Sequence, residues 1–230
     1  MDDQRKNRNH ESKRRVVYYQ NPDRIRYMNS SIKAIIFDFG GVLLKWDPHK
    51  LYRRFLDQPQ QIDQFMTEVN FSSWNAEQDR GRPFETGIAE LSGKYPQYAH
   101  LIRAYYDHFE DTIVGPIPGT VDILHELKQA GYLLYGLSNW SAETYPRIRH
   151  QYDFFNLFDK IILSGEVKLI KPDPAIFNLT LQTIKRTASE CLLIDDSEAN
   201  IISAKKLGFA TIHFKSPEQL QIELRQLNLL

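Results

Sequence analysis

Short apolar runs in this chain end on residues able to do chemistry. "KAIIFDF" delivers Asp38, "YLLYGLSN" ends on Ser138 and Asn139, "ECLLIDD" ends on Asp195 and Asp196, and Lys171 lies just past "KIILSG". Brought together, these supply a carboxylate nucleophile, a hydroxyl and amide pair, a lysine and an acidic pair. Such a set suits a phosphoryl group and one hard cation. Carboxylates 38 and 196 would repel one another, and Mg2+ between them removes that cost while accepting oxygen ligands. An aspartate can attack phosphorus to give an aspartyl-phosphate, which splits hydrolysis into two displacements. Phosphoryl transfer otherwise needs positioning and charge neutralisation, available from Ser138, nearby backbone N–H groups and Lys171.

The elements that must position these groups follow from pattern. The runs above, with "ATIHF", have the length and Ile, Leu and aromatic content of strands buried on both faces. Helical patterns separate the later ones. Val121, Leu124 and Leu127 share a face before Gly131, as do Ile176, Leu179 and Ile184 after "KPDP". Asp173–Pro174 and Ser216–Pro217 each read as an N-cap followed by proline at the first helical position. Strand alternating with helix predicts an α/β fold, a parallel sheet wound by right-handed crossovers, with ligands beyond the carboxyl ends of the strands.

The alternation breaks once. Between Asp47 and about Pro116 lie helical candidates, "PHKLYRRFL", "PQQIDQFMTEV" and "YAHLIRAYYDHFEDTI", and no clear strand. The expected organisation is a leader at 1–30, a core at 31–46 and 116–230, and a helical cap at 47–115. The leader is polar and basic without sustained periodicity, and Met28, just before the first strand, is a candidate natural start. Residues 72–84, "SSWNAEQDRGRPF", read as a turn-rich polar segment whose Arg80 and Arg82 could meet an anionic substrate.

The totals narrow the partners. Lys+Arg and Asp+Glu balance at 29 each, which disfavours nucleic acid or a membrane surface and favours a small soluble partner. A single cysteine, Cys191, excludes an internal disulfide and sits in an apolar run as a buried strand residue. No run reaches the ~18 apolar residues of a membrane helix, so a cytoplasmic protein, monomer or dimer, is expected. The histidines lack close metal-ligand spacing. Lys168 reads as a solvated loop charge, the aromatic run around Tyr105 as cap core, and Trp140 as either packing or pocket wall.

At these residues the chain resembles the haloacid dehalogenase-like superfamily of hydrolases, mostly phosphatases. "FDFGGVL" resembles the first motif, "LSN" the second, "KPDPAIF" the third and "IDDSEANI" the fourth, in order from about residue 32 to the end. The resemblance implies a Rossmann-like core with a small helical cap inserted after the first strand. It implies Asp38 as nucleophile and metal ligand, Gly40 giving its backbone carbonyl to Mg2+, and Asp196 as the acidic ligand. Ser138, Asn139 and Lys171 would hold the phosphate, with Asp195 and Asn200 orienting the lysine and metal-bound water.

The chain departs from the pattern at Gly40. Most of the family's phosphatases carry there an aspartate that protonates the leaving oxygen and later activates water. Gly40 does neither, so leaving groups of low pKa are expected to be favoured. Asp47, in "KWDPHK", could swing in as a substitute acid, though Asp before Pro is also an N-cap. The leading expectation is a Mg2+-dependent phosphatase of a small phosphorylated metabolite. A 2-haloacid dehalogenase is a second reading, but the family's dehalogenases carry Tyr at the Gly40 position and lack the acidic pair. A non-catalytic member that binds a phosphorylated ligand is a third.

Overall fold

The apolar runs form the strands of one parallel sheet. The structure, a computed structural model, describes residues 31–230, so the leader and the Met28 start lie outside the described residues. In chain order the strands are β1 (Ala34–Phe37), β2 (Leu44–Trp46), β3 (Ile113–Pro116), β4 (Leu133–Ser138), β5 (Lys160–Leu163), β6 (Cys191–Asp195) and β7 (Ala210–His213). Five of them make a sheet in the order β5-β4-β1-β6-β7, every neighbour parallel. The chain runs outward from β1 to β5, then returns past β1 to build β6 and β7. The reversal of direction therefore falls at β1, which is where a ligand crevice opens in such sheets.

Side chains alternate across the sheet with the period of a strand. Ile35, Phe37, Leu192 and Ile194 pack on one face with Leu124 and Leu127 of helix Pro118–Gln129 and Leu220 and Leu224 of helix Pro217–Gln226. Ala34, Ile36, Leu193 and Cys191 face the other side with Ile176 and Phe177 of helix Pro174–Ile184 and Ala204 of helix Glu198–Lys206. Burial on both faces explains why these strands are continuous apolar runs. Both expected caps form: Asp173 accepts from the Ala175 N–H and Ser216 from the Gln219 N–H.

The segment between β2 and β3 is helical, as expected, but differs in detail. β2 and β3 pair antiparallel, so the chain leaves and re-enters the core through a two-stranded ribbon. The ribbon was hidden because β2 has three residues and β3 ends on Gly115 and Pro116, which read as a turn. Helices run over Pro48–Tyr52, Pro59–Glu68, Phe71–Asp79, Phe84–Lys94 and Ala99–Asp107. Their interior is aromatic: Tyr105 meets Phe71 edge-on with centroids 4.9 Å apart and Phe109 at 5.6 Å. Residues 72–84 are thus no turn-rich segment over most of their length. Helix Phe71–Asp79 buries Phe71, Trp74 and Gln78, too few apolar residues to register as a periodic signal. Among the described residues no helix is long and apolar enough to cross a membrane.

Candidate active site

Every residue named from the strand ends lies at the carboxyl edge of the sheet or in the loop just beyond it. Asp38 follows β1 directly, and its N–H donates to the Ile194 carbonyl at 2.9 Å. Its Oδ1 accepts from the Phe39 N–H at 2.7 Å. Phe39 is locked among aromatic rings, with centroids 5.1 Å from Phe155 and 5.3 Å from Phe158, so the loop carrying Asp38 is pegged into the core one residue later. Gly41 then turns with φ +76°, and a Cβ there would collide with the Asp196 carboxylate. Gly40 is different: no atom lies within 4 Å of where its Cβ would stand.

Lys171 ties the site together. Its ammonium is buried and has three partners: the Leu137 carbonyl at 2.8 Å, Asp195 Oδ2 at 2.7 Å and Asp38 Oδ2 at 3.0 Å. Three donors on three acceptors satisfy the charge geometrically. Asp195 is fully enclosed and also accepts from Asn200 Nδ2, at 2.9 and 3.1 Å, and from the Ser197 N–H at 2.9 Å. Both of its oxygens are therefore engaged. Burial lowers the pKa of Lys171, but Asp195 and Asp38 more than reverse that, and its net shift is upward. Burial raises the Asp38 carboxyl to about 7 against the pull of Lys171, and burial with the neighbouring Asp195 charge raises Asp196 as well.

The donor set fits a hard divalent cation. Asp38, Asp195 and Asp196 each offer a carboxylate oxygen, all within 4.8 Å of one another, and a single ammonium stands among them. A cluster of carboxylates so undercompensated favours a cation that takes oxygen ligands. Asp195 is fully enclosed and accepts from Lys171, Asn200 and the Ser197 N–H, whereas Asp38 accepts from two donors and Asp196 is exposed, so Asp38 and Asp196 are the carboxylates better placed to hold one. Among the described residues no histidine joins this set of ligand atoms: His49 pairs with Asp63, His150 with a backbone carbonyl, and His213 touches the cluster just through the Asp196 backbone carbonyl.

The second motif separates into two jobs. The Asn139 side chain pairs with the backbone of Lys171, donating to its carbonyl at 3.0 Å and accepting from its N–H at 2.9 Å. It therefore orients Lys171, and a second amide N–H and its backbone N–H remain for a phosphate. Ser138 is buried and, with Gly40 and Asn139, lines a cleft of about 490 Å³, its open mouth included. The rest of that cleft runs beneath the helical insert, walled by Leu44, Trp46, Tyr105, Phe109, Ile113 and Trp140, with Asn75 and Asp79 as its polar groups. Trp140 is thus both wall and packing: its ring meets Tyr145 edge-on at 5.5 Å while its indole N–H donates to Thr144 Oγ1 at 3.1 Å.

The structure gives partners to four residues singled out in the sequence. Arg82 is spent inside the insert, with Nε on Gln78 Oε1 at 2.6 Å and a terminal nitrogen on Glu90 at 2.9 Å, and Arg80 lies 3.8 Å from Glu77. Lys168 is exposed, as expected of a solvated loop charge, and its ammonium also donates to the Gly81 carbonyl at 2.9 Å, joining insert to core. Asp47 caps helix Pro48–Tyr52, accepting from the His49 N–H at 3.0 Å. Asp79 had no sequence signal at all. It ends a helix of mixed polarity, and only the docking of that end on Ser141 and Ser164 puts it in the cleft.

A parallel sheet with a buried Lys–Asp–Asn network and an acidic cluster at its carboxyl edge defines a class, and comparison gives it a family. Residues 32–208 match the haloacid dehalogenase-like hydrolase model, and the chain belongs to that family. It is 29% identical over 206 residues to the sesquiterpene phosphatase astK of Aspergillus oryzae, covering 87% of this chain and 98% of that protein. It is 26% identical to a D-ribitol-5-phosphate phosphatase of Bacteroides thetaiotaomicron, over 78% of this chain and 90% of that one. A haloacid dehalogenase family enzyme from the same bacterium, crystallised with magnesium and inorganic phosphate, superposes with a TM-score of 0.66 at 25% identity, covering 80% of this chain and 95% of that one. The chain is a phosphatase-type hydrolase.

Proposed function

We propose that the protein is a Mg2+-dependent phosphatase that hydrolyses a small phosphate monoester through an aspartyl-phosphate at Asp38, and that the alcohol half of its substrate is largely hydrocarbon. The observation that carries the chemistry is the convergence of Asp38, Lys171, Asp195 and Asp196 within direct ion-pair or ligand distance. Asp38 Oδ2 would attack phosphorus. Lys171, fixed by Asp195 and Asn139, holds the nucleophile's orientation and offsets the incoming charge. Ser138 and backbone N–H groups of the Asn139 loop would cradle the phosphoryl oxygens. Asp38, Asp196 and the Gly40 carbonyl would hold the cation, which supplies neutralisation of the phosphoryl charge. Asn200 keeps Asp195 from turning away from the lysine.

The substrate class rests on the cleft. It opens off Gly40 and Ser138, where a phosphate's ester oxygen would point, and runs into a wall of two tryptophans, a phenylalanine, a tyrosine and two aliphatic side chains. A sugar would leave most of its hydroxyls without partners there, at a cost for each. The relative named as a sesquiterpene phosphatase agrees with an apolar alcohol. On this reading residues 47–115 act as the cap that closes the leaving-group side, and the insert sets the substrate.

The test is a hydrolysis screen over phosphate esters of terpenoid, aryl and sugar alcohols, with and without Mg2+. Turnover of the terpenoid ester above the sugar phosphate, lost with EDTA and in Asp38→Asn, is the expected result. Activity that survives either treatment removes the mechanism, and a preference for sugar phosphates removes the substrate class.

A further inference from the structure

The position two residues after the nucleophile is empty of side chain, yet the leaving-group cleft that Gly40 lines contains one acid. That acid is Asp79, at the end of insert helix Phe71–Asp79. Its carboxyl accepts from Asn75 Nδ2 at 2.9 Å and from the backbone N–H of Ser141, three residues beyond Ser138, while Ser164 Oγ donates to its carbonyl. Insert and core thus both fix it. We infer that Asp79 is the proton donor to the leaving oxygen and replaces the acid missing at Gly40, an inference that rests on the phosphatase reading above.

The groups around it suit the task. Tyr105 is the titratable neighbour, Asn75 and Ser141 are neutral, and Lys168 is turned onto the Gly81 carbonyl. With no cation paired to it among the described residues, burial raises the Asp79 carboxyl to about 8, so at neutral pH it carries the proton a donor needs. Asp38 forms its bond to phosphorus as the ester P–O bond breaks. The electron pair stays on the bridging oxygen, which takes the proton from Asp79. In the second displacement water attacks phosphorus as the Asp38–phosphorus bond breaks, its protons leave on the phosphate, and the Asp79 carboxylate regains a proton from solvent, so this step does not depend on Asp79. The low-pKa preference expected from Gly40 alone is then relieved.

The experiment compares an alkyl phosphate with p-nitrophenyl phosphate in wild type, Asp79→Asn and Asp79→Glu, with pH profiles. Asp79→Asn is expected to lower kcat on the alkyl ester by about 10²-fold or more, to leave the aryl ester within roughly 3-fold, and to abolish a fall in alkyl turnover above about pH 8. Asp79→Glu is expected to recover part of the alkyl rate. Equal losses on both esters, or an unchanged alkaline limb in Asp79→Asn, would overturn the inference. Should the asparagine variant fail to fold, wild type alone decides: rates falling steeply with leaving-group pKa overturn the donor, and a shallow dependence supports it. Failure of the underlying reading shows differently, as turnover of both esters in Asp38→Asn.

Discussion

Putting the missing carboxylate back tests the division of labour between Gly40 and Asp79. Gly40→Asp should be structurally cheap, since no atom lies within 4 Å of the new Cβ and the backbone there is outside the left-handed region. General acid catalysis is typically worth about 10²–10⁴-fold, or roughly 3–5 kcal/mol of barrier. If Asp79 already supplies it, a second donor has little to add. Gly40→Asp alone is therefore expected to change kcat/KM for an alkyl phosphate by less than about 5-fold. In the Asp79→Asn background the same substitution should restore about 10²-fold or more, a coupling of roughly 3 kcal/mol in a double-mutant cycle. Steady-state hydrolysis at saturating Mg2+ on alkyl and aryl esters reads both numbers, with the aryl ester as the internal control. A full 10²–10⁴-fold gain in the otherwise wild-type enzyme would refute the reasoning, because it would mean that nothing was donating the proton before.

Lys171→Met leaves Asp195 and Asp38 buried beside an apolar side chain, and should cost about 3–5 kcal/mol in urea unfolding without metal; saturating Mg2+ should recover part of it. Asp47→Asn should leave the pH profile unchanged, and Asp47→Ala should lower stability by about 1 kcal/mol in the same assay, because the carboxylate caps a helix. The Tyr52 hydroxyl is buried without a hydrogen-bond partner among the described residues, so Tyr52→Phe should raise the melting temperature, by about 1 kcal/mol equivalent.

What the sequence made legible was the sheet and its chemical edge. The strands are read from apolar runs because burial on both faces leaves no polar residue to interrupt them, and three runs, at β1, β4 and β6, stop at the crevice on polar residues. Asp38, Ser138 and Asp196 are legible for that reason, and Lys171 because it directly precedes the "PDP" of a helix cap. Side-chain partners were not: nothing in the sequence shows that the Asn139 amide pairs with the Lys171 backbone. The insert was poorly legible. Its strands are too short to show a period, and helix Phe71–Asp79 turns just three side chains inward. Asp79 depends on contacts with Ser141 and Ser164, more than sixty residues away, which no local pattern records.

A donor carried by the insert has a consequence that one on the nucleophile loop lacks. An acid at Gly40 would meet any phosphoryl group that reached Asp38, whatever alcohol it carried. Asp79 stands among the aromatic walls, so the oxygen it serves must belong to an alcohol that fills the cleft. A small polar ester could bind its phosphate at the sheet edge and still leave water around its bridging oxygen. Protonation would then follow recognition of the apolar half, and binding energy gained at Trp46, Phe109 and Trp140 would appear in kcat as well as in KM. On the proposed reading, selection against short or sugar-like substrates would reside in the rate of the first displacement, and shortening the hydrocarbon of a phosphate ester stepwise should lower kcat in step.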